Sequence, residues 1–193
     1  MVIFAYLFWH EREKGVKDEE YEELLLNFHK RLNLNKMKGY FGSMVSKIDH
    51  LPWLESDEGI YEDLYLVNGL ATLEQLNYYA VSRDMKEVHD MIASKVKKSK
   101  GAIIELKSGN PISYKNELAY WFSKPKGLKY EDLYKYIEIN EGSEGIWRRI
   151  LGLSVCPEFC ITSRRGLKQS EKLDVVLLKR KVIYLNVNEE FRI

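Results

Sequence analysis

The chain opens on Met1-Val2-Ile3-Phe4-Ala5-Tyr6-Leu7-Phe8-Trp9, nine residues without a charged side chain. Such a run is too short to span a bilayer. No basic segment precedes it and no small-residue cleavage site follows, so it does not read as a secretory signal. Its length and its aromatic and β-branched content predict a buried strand. Successive side chains of a strand point to opposite faces. An all-apolar strand therefore belongs to a sheet covered on both sides.

Asp18 is placed to cap a helix, with Glu19, Glu20, Glu22 and Glu23 in its first turns, where the helix dipole favours acids. Leu24, Leu25, Phe28 and Leu32 supply its apolar positions. Tyr40 to Ile48 reads as a second strand and Tyr61 to Val67 as a third, with a loop holding Pro52 and Trp53 between them. Ala71 to Lys98 reads as helix, broken near Ser82 to Asp84, and Ala102 to Leu106 as a fourth strand. The order β-α-β-β-α-β is the ferredoxin-like unit.

Lys107 to Asn116 (KSGNPISYKN) brings Gly109, Asn110 and Pro111 together and predicts a linker. It divides residues 1–108, a first ferredoxin-like repeat, from residues 117–193, with 109–116 between. Ala5-Tyr6-Leu7-Phe8 is answered by Ala119-Tyr120-Trp121-Phe122, and Gly15-Val16-Lys17 by Gly127-Leu128-Lys129. Asp63-Leu64-Tyr65-Leu66 is answered by Asp174-Val175-Val176-Leu177. After the strand Glu117 to Phe122 come a helix over Tyr130 to Ile139, a turn at Ile146 to Leu151 and strands over Val155 to Thr162, Leu173 to Leu178 and Val182 to Val187. Leu178 to Val182 leaves no room for a second long helix, so the second repeat reads as incomplete. The expected fold class is α+β: tandem ferredoxin-like repeats in a dimeric α/β-barrel-type, sheet-to-sheet architecture with helices outside.

Composition bounds the function. The 193 residues are 45% hydrophobic and 31% charged, which excludes disorder. Thirty basic against 29 acidic residues leave a net charge of +1, with no electrostatic footprint for nucleic acid. No RNP-type aromatic-glycine motif, P-loop, GxGxxG or GxSxG occurs. Two cysteines make no disulfide framework and point to a reducing, cytoplasmic setting, without a membrane partner. Glutamine occurs only at Gln75 and Gln169 while Lys and Glu abound, a composition that leans towards a thermophile.

Asp63-Leu64-Tyr65-Leu66-Val67, Lys100-Gly101-Ala102-Ile103-Ile104-Glu105-Leu106, the pair Ser113-Tyr114, and Tyr120-Trp121-Phe122-Ser123-Lys124 follow one another in an order that resembles the chlorite dismutase-like family, which includes the coproheme decarboxylases. The resemblance runs from about Val2 to Leu178. It implies a ring of identical subunits and heme in the second half, ligated by a histidine on the second-half helix and faced by an arginine or glutamine on the following strand. Tyr120, Phe122, Lys124, Arg148, Arg149 and Cys160 are the residues it offers for cofactor binding. Arg148, Arg149, Arg164 and Arg165 are candidates to clamp propionates or another carboxylate, and read equally as a solvated rim.

This sequence departs from that pattern. His10, His29, His50 and His89 all precede residue 90, Ile137 to Leu153 holds no histidine, and Val155 to Cys160 offers no arginine. The expectation is a divergent member without family-type heme catalysis and without a metal site, acting as a small-ligand-binding or structural homo-oligomer. The alternative is a heme oxidoreductase whose iron ligand is Cys160 or a first-half histidine such as His89. Cys156 and Cys160, four apart on one predicted strand, read otherwise as buried apolar side chains. His89 and His10 have no second ligand in sequence and read as solvated or core-satisfied. Tyr6, Tyr40, Tyr65, Tyr78 and Tyr79 either line a small apolar cleft in the first half or fill its core. Lys95, Lys97, Lys98 and Lys100 read as a basic run at a helix C-terminus.

Overall fold

The computed structural model describes residues 2–34, 37–137, 144–152, 156–167 and 173–188. It is a mixed α/β structure. Among these residues, eight antiparallel strands close into a barrel, and four α-helices lie outside it. The elements are β1 (Phe4–Arg12), α1 (Asp18–Leu34), β2 (Tyr40–Ile48), β3 (Ile60–Val67), α2 (Leu70–Ala80), α3 (Arg83–Ala93), β4 (Val96–Gly109), β5 (Leu118–Phe122), α4 (Tyr130–Tyr136), β6 (Gly145–Leu151), β7 (Phe159–Ser163) and β8 (Val175–Val187). Around the barrel they run β1-β3-β2-β8-β5-β7-β6-β4. The first four strands therefore stand as β4-β1-β3-β2 and the last four as β8-β5-β7-β6.

The opening run behaves as its composition requires. In β1, Ala5, Leu7 and Trp9 point into the barrel, while Phe4, Tyr6, Phe8 and His10 point out towards the helices. The two half-sheets do more than face one another. They also join edge to edge, β2 with β8 and β4 with β6, so no strand of the barrel is left as an edge. An eight-stranded barrel has an interior just wide enough for side chains to fill. Here Trp9, Trp121 and Trp147 fill it. Trp53, from the loop between β2 and β3, closes edge-on against Trp9 and Trp121, at 5.4 and 5.3 Å between ring centroids.

Several expected elements are placed differently. Residues 146–151 are not a turn but belong to β6. The two strands expected over 173–178 and 182–187 are one, β8, in which Lys179, Arg180 and Lys181 continue the ladder. Asp174 precedes β8, which stands beside β5 as β4 stands beside β1, so its expected match to Asp63 on β3 does not hold. Lys97, Lys98 and Lys100 are not on a helix, because β4 begins at Val96. Lys97 instead pairs with buried Glu11 at 3.2 Å. Part of the predicted linker is the end of β4, and the rest folds as a 3-10 turn over Pro111–Lys115. Cys156 precedes β7 and shares no strand with Cys160.

The halves differ in their cover. Helices α1, α2 and α3 lie over β1 and its neighbours, whereas among the described residues only the two-turn α4 covers the second half. No helix among the described residues is long and apolar enough to cross a membrane.

Candidate functional site

Strand register sets the site. Across β1 and β3, Tyr6 pairs with Tyr65, Phe8 with Asp63 and His10 with Tyr61, all pointing outward. Tyr6 stacks on Tyr65 (5.9 Å) and His10 on Phe8 (5.2 Å) and Tyr61 (5.9 Å). Helix α1 crosses above with Tyr21, Leu25, Phe28, His29 and Leu32 all buried. Four of these five fall in phase at i, i+4, i+8 and i+11 on one helical face, so Tyr21 and His29 descend onto the sheet together with the leucines.

The result is a polar cluster inside an aromatic and aliphatic layer. His10 Nε2 lies 3.4 Å from Asp63 Oδ2 and His29 Nε2 lies 3.5 Å from Asp63 Oδ1. Tyr65 Oη donates to Asp63 Oδ2 at 3.4 Å. Behind the imidazoles, Tyr21 Oη lies 2.7 Å from His10 Nδ1 and Ser43 Oγ lies 2.8 Å from His29 Nδ1. Asn33 donates to Ser43 Oγ at 2.8 Å and to Tyr184 of β8 at 3.2 Å. Burial works against an Asp63 carboxylate, but the two facing imidazoles more than offset it and hold the group well below the usual carboxylate range. Burial, with the Asp63 charge added, pushes the Tyr6, Tyr21 and Tyr65 hydroxyls up, so they remain protonated donors.

Asp63, Tyr6 and Tyr65 form part of the wall of a cleft of about 780 Å³ between the sheet and helices α1 to α3. That volume suits a small organic molecule. Most of the remaining wall is apolar, with Leu25, Phe28, Leu76 and Ile92 in it. Glu74, Asn77 and Val81, all exposed, stand at its rim, and His89 lines it while lying 3.2 Å from Asp90. Asp63 is only 4% exposed, and its Oδ1 has no hydrogen-bond partner, nor does His10 Nε2.

Of the expected tyrosine cleft, Tyr6 and Tyr65 are lining residues and Tyr40 is packed behind them against Phe28 and Leu32. Tyr79 is half-buried against the same cluster, and Tyr78 is 71% exposed. His10 is buried and tied to Asp63 rather than solvated. One signal in the sequence points to this site: Glu62 and Asp63 are adjacent acids in an otherwise apolar strand. Alternation must place one on each face of a covered sheet, and each then needs its own polar partners.

Of the six residues offered for a cofactor, Tyr120, Phe122, Lys124 and Arg148 gather on the outer face of the second half around Tyr130 and Phe159, whereas Arg149 and Cys160 lie apart from them. Tyr120 and Phe122 lie on the outer face, packed with Leu133, Ile146, Phe159 and Ile161. Lys124 donates to the carbonyls of Pro125 and Leu128. Arg148 donates to Glu158 at 2.9 Å and stacks over Tyr130, and Arg149 donates to the Gly152 carbonyl. Arg164 donates to Asn116 and Arg165 to Glu144. Cys160 is on the other face of the sheet, inside the barrel. Burial pushes its thiol well above the ordinary range, which disfavours the thiolate an iron ligand requires.

The first-half cleft does have an imidazole in its wall, His89, but no Lys or Arg lines it among the described residues, while Asp63 and Glu74 do. Such a wall does not fit a porphyrin carrying propionates, which needs cationic partners. No cluster of potential metal ligands occurs among the described residues.

No family model matches the sequence, and no curated protein matches it. Solved structures do. The "Putative monooxygenase (FN1347)" of Fusobacterium nucleatum subsp. nucleatum superposes with a TM-score of 0.65 at 12% identity, over 96% of this chain and 94% of that one. The "Putative Chlorite dismutase TA0507" superposes with a TM-score of 0.54 at 10% identity, over 95% of each chain. Over nearly its whole length, then, the chain shares the ferredoxin-like fold of proteins named as a monooxygenase and a chlorite dismutase, and at these identities it is the fold that is shared.

Proposed function

We propose that the protein is a divergent, heme-independent relative of chlorite dismutase-like and monooxygenase-like proteins, built from two copies of one ferredoxin-like module, and that it binds a small molecule in the cleft of the first. The common order of β4-β1-β3-β2 and β8-β5-β7-β6 supports the two-copy reading. The positive φ of Gly15 and Gly127, at the corresponding turns before α1 and α4, supports it too.

One observation carries the functional part: a nearly fully buried carboxylate oxygen, Asp63 Oδ1, is approached by His29 Nε2 at 3.5 Å but completes no hydrogen bond among the described residues, at the wall of a largely apolar cleft. Leaving a charged acceptor unsatisfied is costly. A ligand with an apolar body and a polar donor head satisfies the site. Its body takes up the space between Leu25, Leu76 and Ile92, and its head reaches Asp63.

The test is a titration with naphthalen-1-ylmethanol followed by methyl NMR. Saturable shifts at Leu25, Leu76 and Ile92, lost in Ala80→Trp, which fills the cleft, support the reading. Saturable binding that leaves those methyls unmoved, or no binding of this alcohol or of its amine counterpart, overturns it.

A further inference from the structure

Resting on the cleft as the binding site, we infer that the ligand's polar head is a cation, a protonated amine carried on an aromatic or aliphatic body. The wall is richer in acid than in base. It contains two carboxylates, Asp63 at the floor and Glu74 at the rim, against one imidazole, His89, and no Lys or Arg among the described residues.

The floor carboxylate is ion-paired with His10 and His29, but at long range. Charge-assisted N–H to carboxylate bonds run about 2.7–2.9 Å, whereas His10 and His29 stand at 3.4 and 3.5 Å. Neither Asp63 Oδ1 nor His10 Nε2 completes a hydrogen bond. Around that carboxylate the surfaces are aromatic. Phe8 pairs directly across from Asp63, and Tyr6 and Tyr65 stack beside it. Aromatic faces next to a buried acid attract an organic cation through the ring quadrupole and the charge together. A neutral hydroxyl gains the hydrogen bond but not the charge term. An anion meets two carboxylates, with only imidazoles and, among the described residues, no Lys or Arg in the wall to set against them.

Two isosteric probes separate the possibilities. Naphthalen-1-ylmethanamine, protonated near neutral pH, and naphthalen-1-ylmethanol are titrated calorimetrically, with the methyls of Leu25, Leu76 and Ile92 reporting the place of binding. The amine is expected to bind at least tenfold more tightly than the alcohol. Asp63→Asn should abolish that preference while still binding the alcohol, and Glu74→Gln, at the exposed rim, should reduce it two- to threefold. Alcohol binding as tight as amine binding, with the cleft methyls shifting for both, overturns the cationic head and leaves the cleft reading intact. An amine preference undiminished in Asp63→Asn also overturns it. Binding of neither probe overturns both readings. The wild-type comparison decides the matter even if Asp63→Asn fails to fold.

Discussion

Glu62 and Arg180 meet at 3.2 Å inside the barrel, both side chains fully buried, one from β3 and the other from β8. Trp9 Nε1 donates to the second Glu62 oxygen at 2.7 Å, and the Arg180 guanidinium stacks 4.3 Å from the Tyr114 ring while donating to the Asn116 carbonyl. The pair ties the two halves together across a space otherwise filled by tryptophans. It also explains why an arginine interrupts the apolar pattern of β8.

Removing one member strands the other. Arg180→Met leaves a buried carboxylate whose strongest donor is gone, a change that typically costs roughly 3–5 kcal/mol. Glu62→Gln in the same chain removes the charge while its amide oxygen still accepts from Trp9. The double variant is therefore expected within about 2 kcal/mol of wild type. Urea denaturation of the wild type, the singles and the double measures the coupling. An Arg180→Met variant as stable as wild type would sink the idea that the pair is energetically closed.

The seam between β2 and β8 depends on Gly42. Its φ is +132°, and a β-carbon there would lie 2.1 Å from the Asn186 carbonyl oxygen of β8. Gly42→Ala thus combines backbone strain, about 1–3 kcal/mol, with displacement of a neighbouring strand. Gly15, at +93° with open space around it, carries only the strain. Gly42→Ala is expected to cost at least about 2 kcal/mol and Gly15→Ala about 1 kcal/mol. Hydrogen exchange should show the Gly42 variant opening first at the Asn186 and Val187 amides; equal protection in the two variants would contradict this.

The first half of the fold is readable because its periodicities are clean. β1 is apolar on both faces, and the break between α2 and α3 falls where Ser82 interrupts the pattern. The second half is harder because its outer face has little helical cover. Arg148 on β6 and Lys179 and Lys181 on β8 face outward, so those strands look like turns or polar intervals. The site was half visible. Aromatic content singles out Tyr6 and Tyr65 among five tyrosines that either line a cleft or fill the core, but the Asp63 cluster depends on register between β1 and β3 and on the roll of α1, which single-sequence periodicity does not supply. His29 looks like an ordinary polar residue until Tyr21, Leu25 and Leu32 show it to be on the buried face.

Both cysteines lie within the core, Cys156 at 7% and Cys160 at 0% exposure. Desolvation pushes the Cys156 thiol up to about 12 and Cys160 well above its ordinary value. Reaction with a disulfide reagent requires the thiolate. Near pH 8 the native protein should react on the order of a thousandfold more slowly than the unfolded chain. A stopped-flow comparison in buffer and in denaturant measures this; rapid labelling of either thiol in the native state would show that the barrel interior is open.

The Asp63 cluster makes a prediction about acid stability whose sign follows from its geometry. In the unfolded chain an aspartate titrates near 3.9. In the folded protein His10 and His29 outweigh the cost of burial and hold Asp63 below that value. Between the two values the unfolded chain binds more protons than the folded one, so stability rises with pH there. The contribution is complete above about pH 5 and is lost as pH falls through the folded value, with a slope of at most about 1.4 kcal/mol per pH unit for one proton. Asp18, held down by Lys47 and Arg12, adds a parallel contribution, so the acid limb does not vanish with Asp63. Asp63→Asn is expected to lower stability at pH 7 yet lose less between pH 5 and pH 2 than wild type does, so the two curves converge in acid. Denaturant unfolding at half-unit pH intervals provides the comparison, and curves that stay parallel to pH 2 would mean that Asp63 is not held ionised by its two histidines.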